Sequence, residues 1–353
     1  MLFGAARCRA ILRIETEETR PMSETVSRRG FFKGAAAFGV TLPTAGALGA
    51  DASAPKSYKT ELHKAFICPQ PEEEIIRAHA DAGFEGVELR NHGQTDEEIK
   101  ADLQLLEKYS LRVHSLIGGG ADFNNGDPSV RAAGQEKIRR AIQMASLYGA
   151  DTLLLVPGRI GGRAELPVPD PADLNIQFDP ETLNITSVAD GDNTPYRAYI
   201  EAHNRSATLI FDEIAKLIPT AAQYGVSITV ENVGNNLWLQ PEIFADFIRK
   251  FDDLWVKAYY DMGNHAKYAP TSRWLRTLGK SQIAKLHLKD YAVQKGICPL
   301  GTGTIDWLDV RGTVEEIGYS GWVTYEEECQ TDYSPADYAR LMDRWFAGQP
   351  MLG

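Results

Sequence analysis

Four side chains of metal-ligand type stand at or near the ends of four successive apolar runs in the second half of the chain. They are Glu231, Asp261, His287 and one acid of the triplet Glu326, Glu327, Glu328. Charged groups seldom sit in apolar strands unless they are paired or bind a cation. Three carboxylates and one imidazole form a mainly oxygen site. Such a divalent-metal site suits Mn2+ best and also accommodates Mg2+, Co2+ or Zn2+. Strand alternation puts Glu326 and Glu328 on one face with Trp322 and Thr324, and Glu327 on the other with Val323 and Tyr325. Alternation therefore leaves Glu326 and Glu328 as equal candidates.

The runs that carry these groups belong to a longer series. Strand-like segments fall at 64–68, 86–90, 111–117, 152–157, 226–231, 255–261, 283–289 and 322–328, separated by helical patterns such as 71–82 and 96–109. Eight βα units predict an α/β fold closed as a (β/α)8 TIM barrel, whose active sites lie at the C-terminal ends of the strands. A doubly wound open sheet is the alternative, but no GxGxxG turn follows the first strand. One connection breaks the rhythm. Residues 158–195 are rich in Pro, Asp, Asn and Gly and far exceed the usual βα loop of about 2–6 residues. Leaving from a strand's C-terminal end, this insertion is expected to be a lid, with a disordered loop as the competing reading.

Length and composition set the boundaries. The 353 residues, 43% of them hydrophobic, can bury one large core. A net charge of −11 provides no basic face for nucleic acid. Cys8, Cys68, Cys298 and Cys329 are widely spaced, form no CxxC pair and are expected to be isolated packed thiols. The N-terminus reads S-R-R-G-F-F-K at 27–33, followed by an uncharged stretch at 34–50, and looks like a twin-arginine export signal. Small residues at Ala45/Ala47 and Ala52/Ala54 offer cleavage positions, and Met22 is an alternative start. The stretch is shorter than the ~20 residues of a spanning helix. The expected division is thus 1–54 as N-terminal extension and signal, and 55–353 as one catalytic barrel, periplasmic or secreted.

Five motifs occur in order along the strands and the loops that follow them: V-E-N-V-G-N-N at 230–236, Y-D-M-G-N at 260–264, K-L-H-L-K-D at 285–290, G-T-G-T-I-D-W at 301–307 and G-Y-S-G-W-V-T-Y-E at 318–326. With them the chain, from about residue 60 to 346, resembles the sugar phosphate isomerase/epimerase or xylose isomerase-like barrel superfamily, which includes ketose 3-epimerases and hydroxypyruvate isomerase. The resemblance implies Glu231, Asp261, His287 and Glu326 as metal ligands, the last because it stands five residues after Gly321. It also implies enediolate chemistry at a carbon next to a carbonyl, with Glu231 and Glu326 as base and acid. Many epimerases of this kind carry a second His three residues after the strand-six Asp. Here Asn264 stands in that place with His265 beside it, and an amide cannot carry a proton at neutral pH.

Further candidates for substrate contact are Asn264, His265, His114, Trp238 and Lys289. For His114 and Trp238 a plain core position competes, and Lys289 could instead pair with Asp290. Glu88 is a candidate polar partner at the barrel mouth. The expected activity is a metal-dependent sugar isomerase or epimerase. The alternatives are an exported lyase or hydratase acting on an oxidised keto sugar, a non-catalytic sugar-binding barrel, and a repair endonuclease of the related barrel type. The expected partners are a sugar-like small molecule and the twin-arginine export machinery, with no nucleic acid and no stable membrane insertion after processing. Assembly as a homo-oligomer is left open.

Overall fold

Covered by helices on one side and facing strands on the other, the apolar runs can hold parallel strands without alternating polar residues. The computed structural model describes residues 57–161, 166–326, 329 and 331–352. Its main strands are β1 Leu62–Cys68, β2 Gly86–Arg90, β3 Arg112–Gly120, β4 Thr152–Val156, β5 Ser227–Glu231, β6 Val256–Asp261, β7 Ile283–Leu288 and β8 Gly321–Tyr325. They pair in parallel in chain order. Strand β8 returns to β1, with Leu62 opposite Gly321 and Phe66 opposite Tyr325, so the barrel is closed as expected.

Helices cover the outside: α1 Glu73–Asp81, α2 Asp96–Lys108, α3 Pro128–Leu147, α4 Arg197–Ala215, α5 Ile218–Tyr224, α6 Pro241–Arg249, α7 Thr271–Gln282, α8 Trp307–Ile317 and α9 Pro335–Phe346. Helix α2 starts at a capping box, in which Thr95 accepts from Glu98 N and Glu98 reaches back to Thr95 N. Helix α1 begins later than its pattern predicts because Glu72 is extended, at φ −116 and ψ 137. Inside the barrel the apolar cluster is small, formed by Ile117, Leu154 and Tyr259 with Ile67 and Val156 at its edge. Buried polar groups fill much of the remainder, among them Glu88, His114, Ser115, Thr229, Lys285, His287 and Thr324.

The described part of the 158–195 insertion is folded. Gln177–Phe178 pairs antiparallel with Ile185–Ser187, and Leu174, Ile176, Leu183, Ile185 and Val188 are buried with it. Gln240 fastens this unit at the start of α6: its Oε1 accepts from Ile176 N and its Nε2 donates to Leu174 O, both at 2.9 Å. On α4, Asn204 accepts from Ile185 N at 2.8 Å and donates to Ile185 O at 3.0 Å. The competing expectation of a disordered loop is therefore not met in residues 166–195.

Residues 1–56, which include the expected export signal, its cleavage positions, Met22 and Cys8, lie outside the described residues, as do Glu327 and Glu328. Among the described residues, Cys68, Cys298 and Cys329 form no disulfide, and no helix is long and apolar enough to cross a membrane.

Candidate functional site

Parallel pairing brings the ends of β5 to β8 side by side, and with them the four expected ligand residues. Asp261 lies opposite His287 in the β6–β7 register, and His287 opposite Thr324 in β7–β8. Glu326 N donates to Leu288 O at 3.1 Å, which carries the ladder one rung past β8. One ligand atom from each of Glu231, Asp261, His287 and Glu326 lies within 4.8 Å of the others. The imidazole Nδ1 of His287 is 3.5 Å from Glu231 Oε1, 3.9 Å from Asp261 Oδ2 and 3.2 Å from Glu326 Oε2.

Local turns aim these groups. Asp261 Oδ1 accepts from Gly263 N at 2.8 Å and Asn264 N at 2.7 Å, so that Oδ2 is left facing the cluster. A Cβ on Gly263 would stand 2.7 Å from Lys289 O, which explains the glycine of the Y-D-M-G-N motif: β6 and β7 approach too closely for a side chain. Asn232 splints β5 to β6, its Nδ2 donating to Asp261 O at 2.8 Å and its Oδ1 accepting from Asp261 N at 2.7 Å. That reciprocal bond fixes the spacing of Glu231, its neighbour in sequence, from Asp261.

The donor set fits a divalent cation. Asp261 Oδ2, His287 Nδ1 and Glu326 Oε2 are buried yet make no directed hydrogen bond, a costly condition that a bound cation would relieve. The Lys289 ammonium contributes charge at 3.3 Å from Asp261 Oδ2 and 3.0 Å from Glu326 Oε2. The carboxyls are pushed apart electrostatically. Burial raises Glu231 to about 7 against the opposing pull of His287, and the Glu326 and Asp261 charges add to the rise. Burial would also raise Glu326, but Lys289 and His287 outweigh it and hold that carboxyl well below the usual range.

Beneath the cluster, His287 Nε2 lies 2.6 Å from Glu88 Oε2, and Ser115 Oγ donates to Glu88 Oε1 at 2.7 Å. Burial opposes charge on the imidazole, but Glu88, Glu231 and Glu326 hold its pKa well above the ordinary histidine value. Glu88 faces Nε2, so Nδ1 is the nitrogen turned to the cluster and the one a cation would engage. Glu88 is thus fully buried below the ligands, rather than at the mouth where the sequence suggested it.

Of the substrate candidates, Asn264 and Lys289 reach the cluster. Asn264 Nδ2 donates to Glu231 Oε1 at 3.4 Å, and its Oδ1 accepts from Lys289 Nζ at 3.2 Å. Lys289 and Asp290 point apart instead of pairing. Asp290 Oδ2 accepts from Gly301 N, Gly303 N and Trp307 Nε1, and a Cβ on Gly303 would stand 2.1 Å from Asp290 Oδ1, which explains the G-T-G-T-I-D-W motif as a clamp.

The other three candidates are placed elsewhere. His265 turns away from the ligands, with Nε2 3.1 Å from Val233 O and its ring against Trp274, and burial lowers its pKa to about 3. The tight Asp261 turn directs Asn264 inward and its neighbour outward. Trp238 is 1% exposed, its ring 4.2 Å from that of Phe247, so it is a packing residue of the helical layer. His114 faces the interior one layer below the ligands, bonded through Nε2 to Thr324 Oγ1 at 3.0 Å and stacked on Trp322. A bulge shifts the β2–β3 register there, so Ser115 stands opposite Glu88. Asn232, Ser115 and Tyr259, whose ring is 4.3 Å from that of His287, escaped the sequence reading. Of these, only Asn232 carried a signal, as the residue after a ligand in V-E-N-V.

A surface cavity of about 660 Å³ opens at the opposite, N-terminal end of the strands. Two of its three lysines are engaged locally: Lys285 with Asp151 and Lys257 with Ser281 O.

Comparisons with known proteins agree with the barrel fold. Residues 76–347 match the family model described as xylose isomerase-like TIM barrel. An uncharacterised protein of Methanocaldococcus jannaschii is 22% identical over 124 residues, which is 33% of this chain and 42% of that protein. Among solved structures, a 3-keto-D-glucoside 4-epimerase from E. coli superposes with TM-score 0.59 at 16% identity, covering 81% of this chain and 99% of that one. A probable 3-DHS dehydratase from Bacillus anthracis gives 0.59 at 13%, covering 80% and 98%. A D-tagatose 3-epimerase-like protein gives 0.58 at 15%, covering 80% and 96%. At these identities the structural likenesses speak for the fold.

Proposed function

The chain belongs to the xylose isomerase-like TIM barrel family, and from that premise we propose that it is a metal-dependent sugar isomerase or epimerase working through an enediolate. One observation carries the reading: three carboxylates and His287 Nδ1 converge within 4.8 Å at the C-terminal mouth of the barrel. The names of the solved relatives, one a 4-epimerase and one a 3-epimerase-like protein, support it.

Glu231, Asp261, His287 and Glu326 would hold the cation, Mn2+ in preference to Mg2+, Co2+ or Zn2+. A divalent cation there would supply electrophilic stabilisation of negative charge on a carbonyl oxygen and its neighbouring hydroxyl. The protein's own share is proton transfer and positioning. Glu231 takes the proton from the carbon beside the carbonyl, the role of base that the family resemblance implies for it. Glu326 then returns a proton as the acid. Asn264, tied to Glu231 and Lys289, offers an amide to a substrate hydroxyl. Return to the opposite face of the same carbon is epimerisation, and return to the neighbouring carbon is isomerisation.

The same carbanion chemistry also permits loss of a β-hydroxyl. The Bacillus anthracis dehydratase favours this as a second reading. The twin-arginine-like segment at 27–33 supports export to the periplasm or beyond, and the folded insertion at the mouth supports the role of a lid.

The deciding experiment measures the metal content of the protein beside a Glu231→Gln/His287→Ala variant. Solvent deuterium exchange into ketoses and 3-keto sugars is followed in parallel. Stoichiometric metal lost in the variant, with metal-dependent exchange next to a carbonyl, is the expected result. An unsaturated product would select the lyase reading. Metal-free protein without exchange would leave a sugar-binding barrel.

A further inference from the structure

Two residues above Glu88 on β2, Arg90 ends the strand at the mouth of the barrel. Residues two apart on a strand share a face. For Glu88 that face is the interior, since it bonds across the barrel to His287 and to Ser115. The register agrees: Arg90 stands opposite Ile117, which belongs to the interior cluster with Leu154 and Tyr259. Arg90 therefore rises from the wall facing the ligand residues, one layer above the Glu88–His287 bond.

Among the described residues the guanidinium, half-buried at the end of β2, has no partner. Its Nε is buried without a hydrogen bond, and among the described residues the side chain forms no ion pair. Cations this close to burial are ordinarily paired, and an arginine fork matches two oxygens of one planar or tetrahedral oxyanion. Lys289, the other cation at the mouth, is already committed to Asp261 and Glu326.

We propose that Arg90 is a substrate-recognition residue that binds an oxyanion group, carboxylate or phosphate, at the end of the substrate remote from the ligand cluster. The substrate class is then an acidic keto sugar rather than a neutral one. This rests on the enediolate reading for the identity of the reacting end, and on the geometry of β2 alone for the anionic end.

Binding to the Mn2+-loaded protein would be measured by calorimetry with three probes: 2-keto-D-gluconate, D-fructose 6-phosphate and neutral D-fructose. At least one oxyanion probe is expected to bind about tenfold or more tighter than D-fructose, and which one identifies the group. Arg90→Gln should erase that preference while leaving metal content and D-fructose affinity unchanged. Arg90→Lys should retain part of it, which separates loss of charge from loss of fold. Equal affinity for all three probes, or a preference that survives Arg90→Gln, would overturn the proposal. Deuterium exchange run on the same samples separates the two readings. Oxyanion preference without exchange sinks the enediolate reading alone, and exchange confined to the neutral ketose sinks the role of Arg90 alone.

Discussion

Glu88 and His287 meet across the interior of the barrel, Oε2 to Nε2 at 2.6 Å, joining β2 to β7 directly beneath the ligand cluster. Outer partners of this kind fix the orientation and tautomer of a ligating histidine. Glu88→Ala is expected to weaken metal affinity by about 10–100-fold. Glu88→Gln should lose less, because an amide oxygen can still accept. Competition against a calibrated chelator reads both, and unchanged affinity in both variants would reduce Glu88 to a space-filling role.

Asp261 offers only Oδ2 to the cluster, because its other oxygen is held by two backbone amides. Asp261→Asn should therefore remove metal binding without unfolding the turn. In the unsubstituted protein, a chelator should lower stability by about 2.7 kcal/mol where free metal had stood at 100 times its Kd. A thermal-shift series with and without chelator checks this, and identical melting in both would speak against a bound cation.

Acid should destabilise the protein through histidines that fold neutral. Burial lowers His79 and His203 to about 4 and His265 to about 3, from an ordinary 6.5. Between pH 6.5 and about 4 the unfolded chain binds protons that the folded chain refuses, so stability is full above 6.5 and declines as pH falls. Each such group contributes a slope of up to about 1.4 kcal/mol per pH unit. His79 packs in α1 with Nε2 2.7 Å from Tyr325 Oη, away from the ligands. In denaturant titrations His79→Gln should flatten the acid slope by about one proton; an unaltered slope would assign the effect to other groups.

Gln240→Ala should loosen the insertion. Its amide makes both hydrogen bonds to Leu174 and Ile176, so truncation strands a donor and an acceptor at a cost of about 1–3 kcal/mol. Limited proteolysis should then nick residues 166–195 faster while the barrel survives. Unchanged cleavage would show that Asn204 and the local apolar contacts suffice.

Much of the site was legible because it depends on strand ends. Glu231, Asp261 and His287 announce themselves as charged groups closing apolar runs, and a closed parallel barrel must bring consecutive ends together. The strand-eight acid was not decidable from alternation, and the family resemblance pointed to Glu326, which joins the cluster. What stayed hidden depends on local backbone geometry. The bulge beside His114 resets the β2–β3 register, and the Asp261 turn sends His265 outward. Neither leaves a periodic trace. The folding of the insertion was equally hidden, because its apolar residues are spread through Pro- and Asp-rich sequence and gain meaning only against Gln240 and Asn204.

The reciprocal bond between the Asn232 side chain and the Asp261 backbone also limits what position 232 can carry. An aspartate there would lack the donor, and a glutamine would overshoot by one methylene. Either replacement would release Asp261 N or Asp261 O and loosen the spacing between Glu231 and Asp261, so a side chain that never meets substrate sets the span of the cluster.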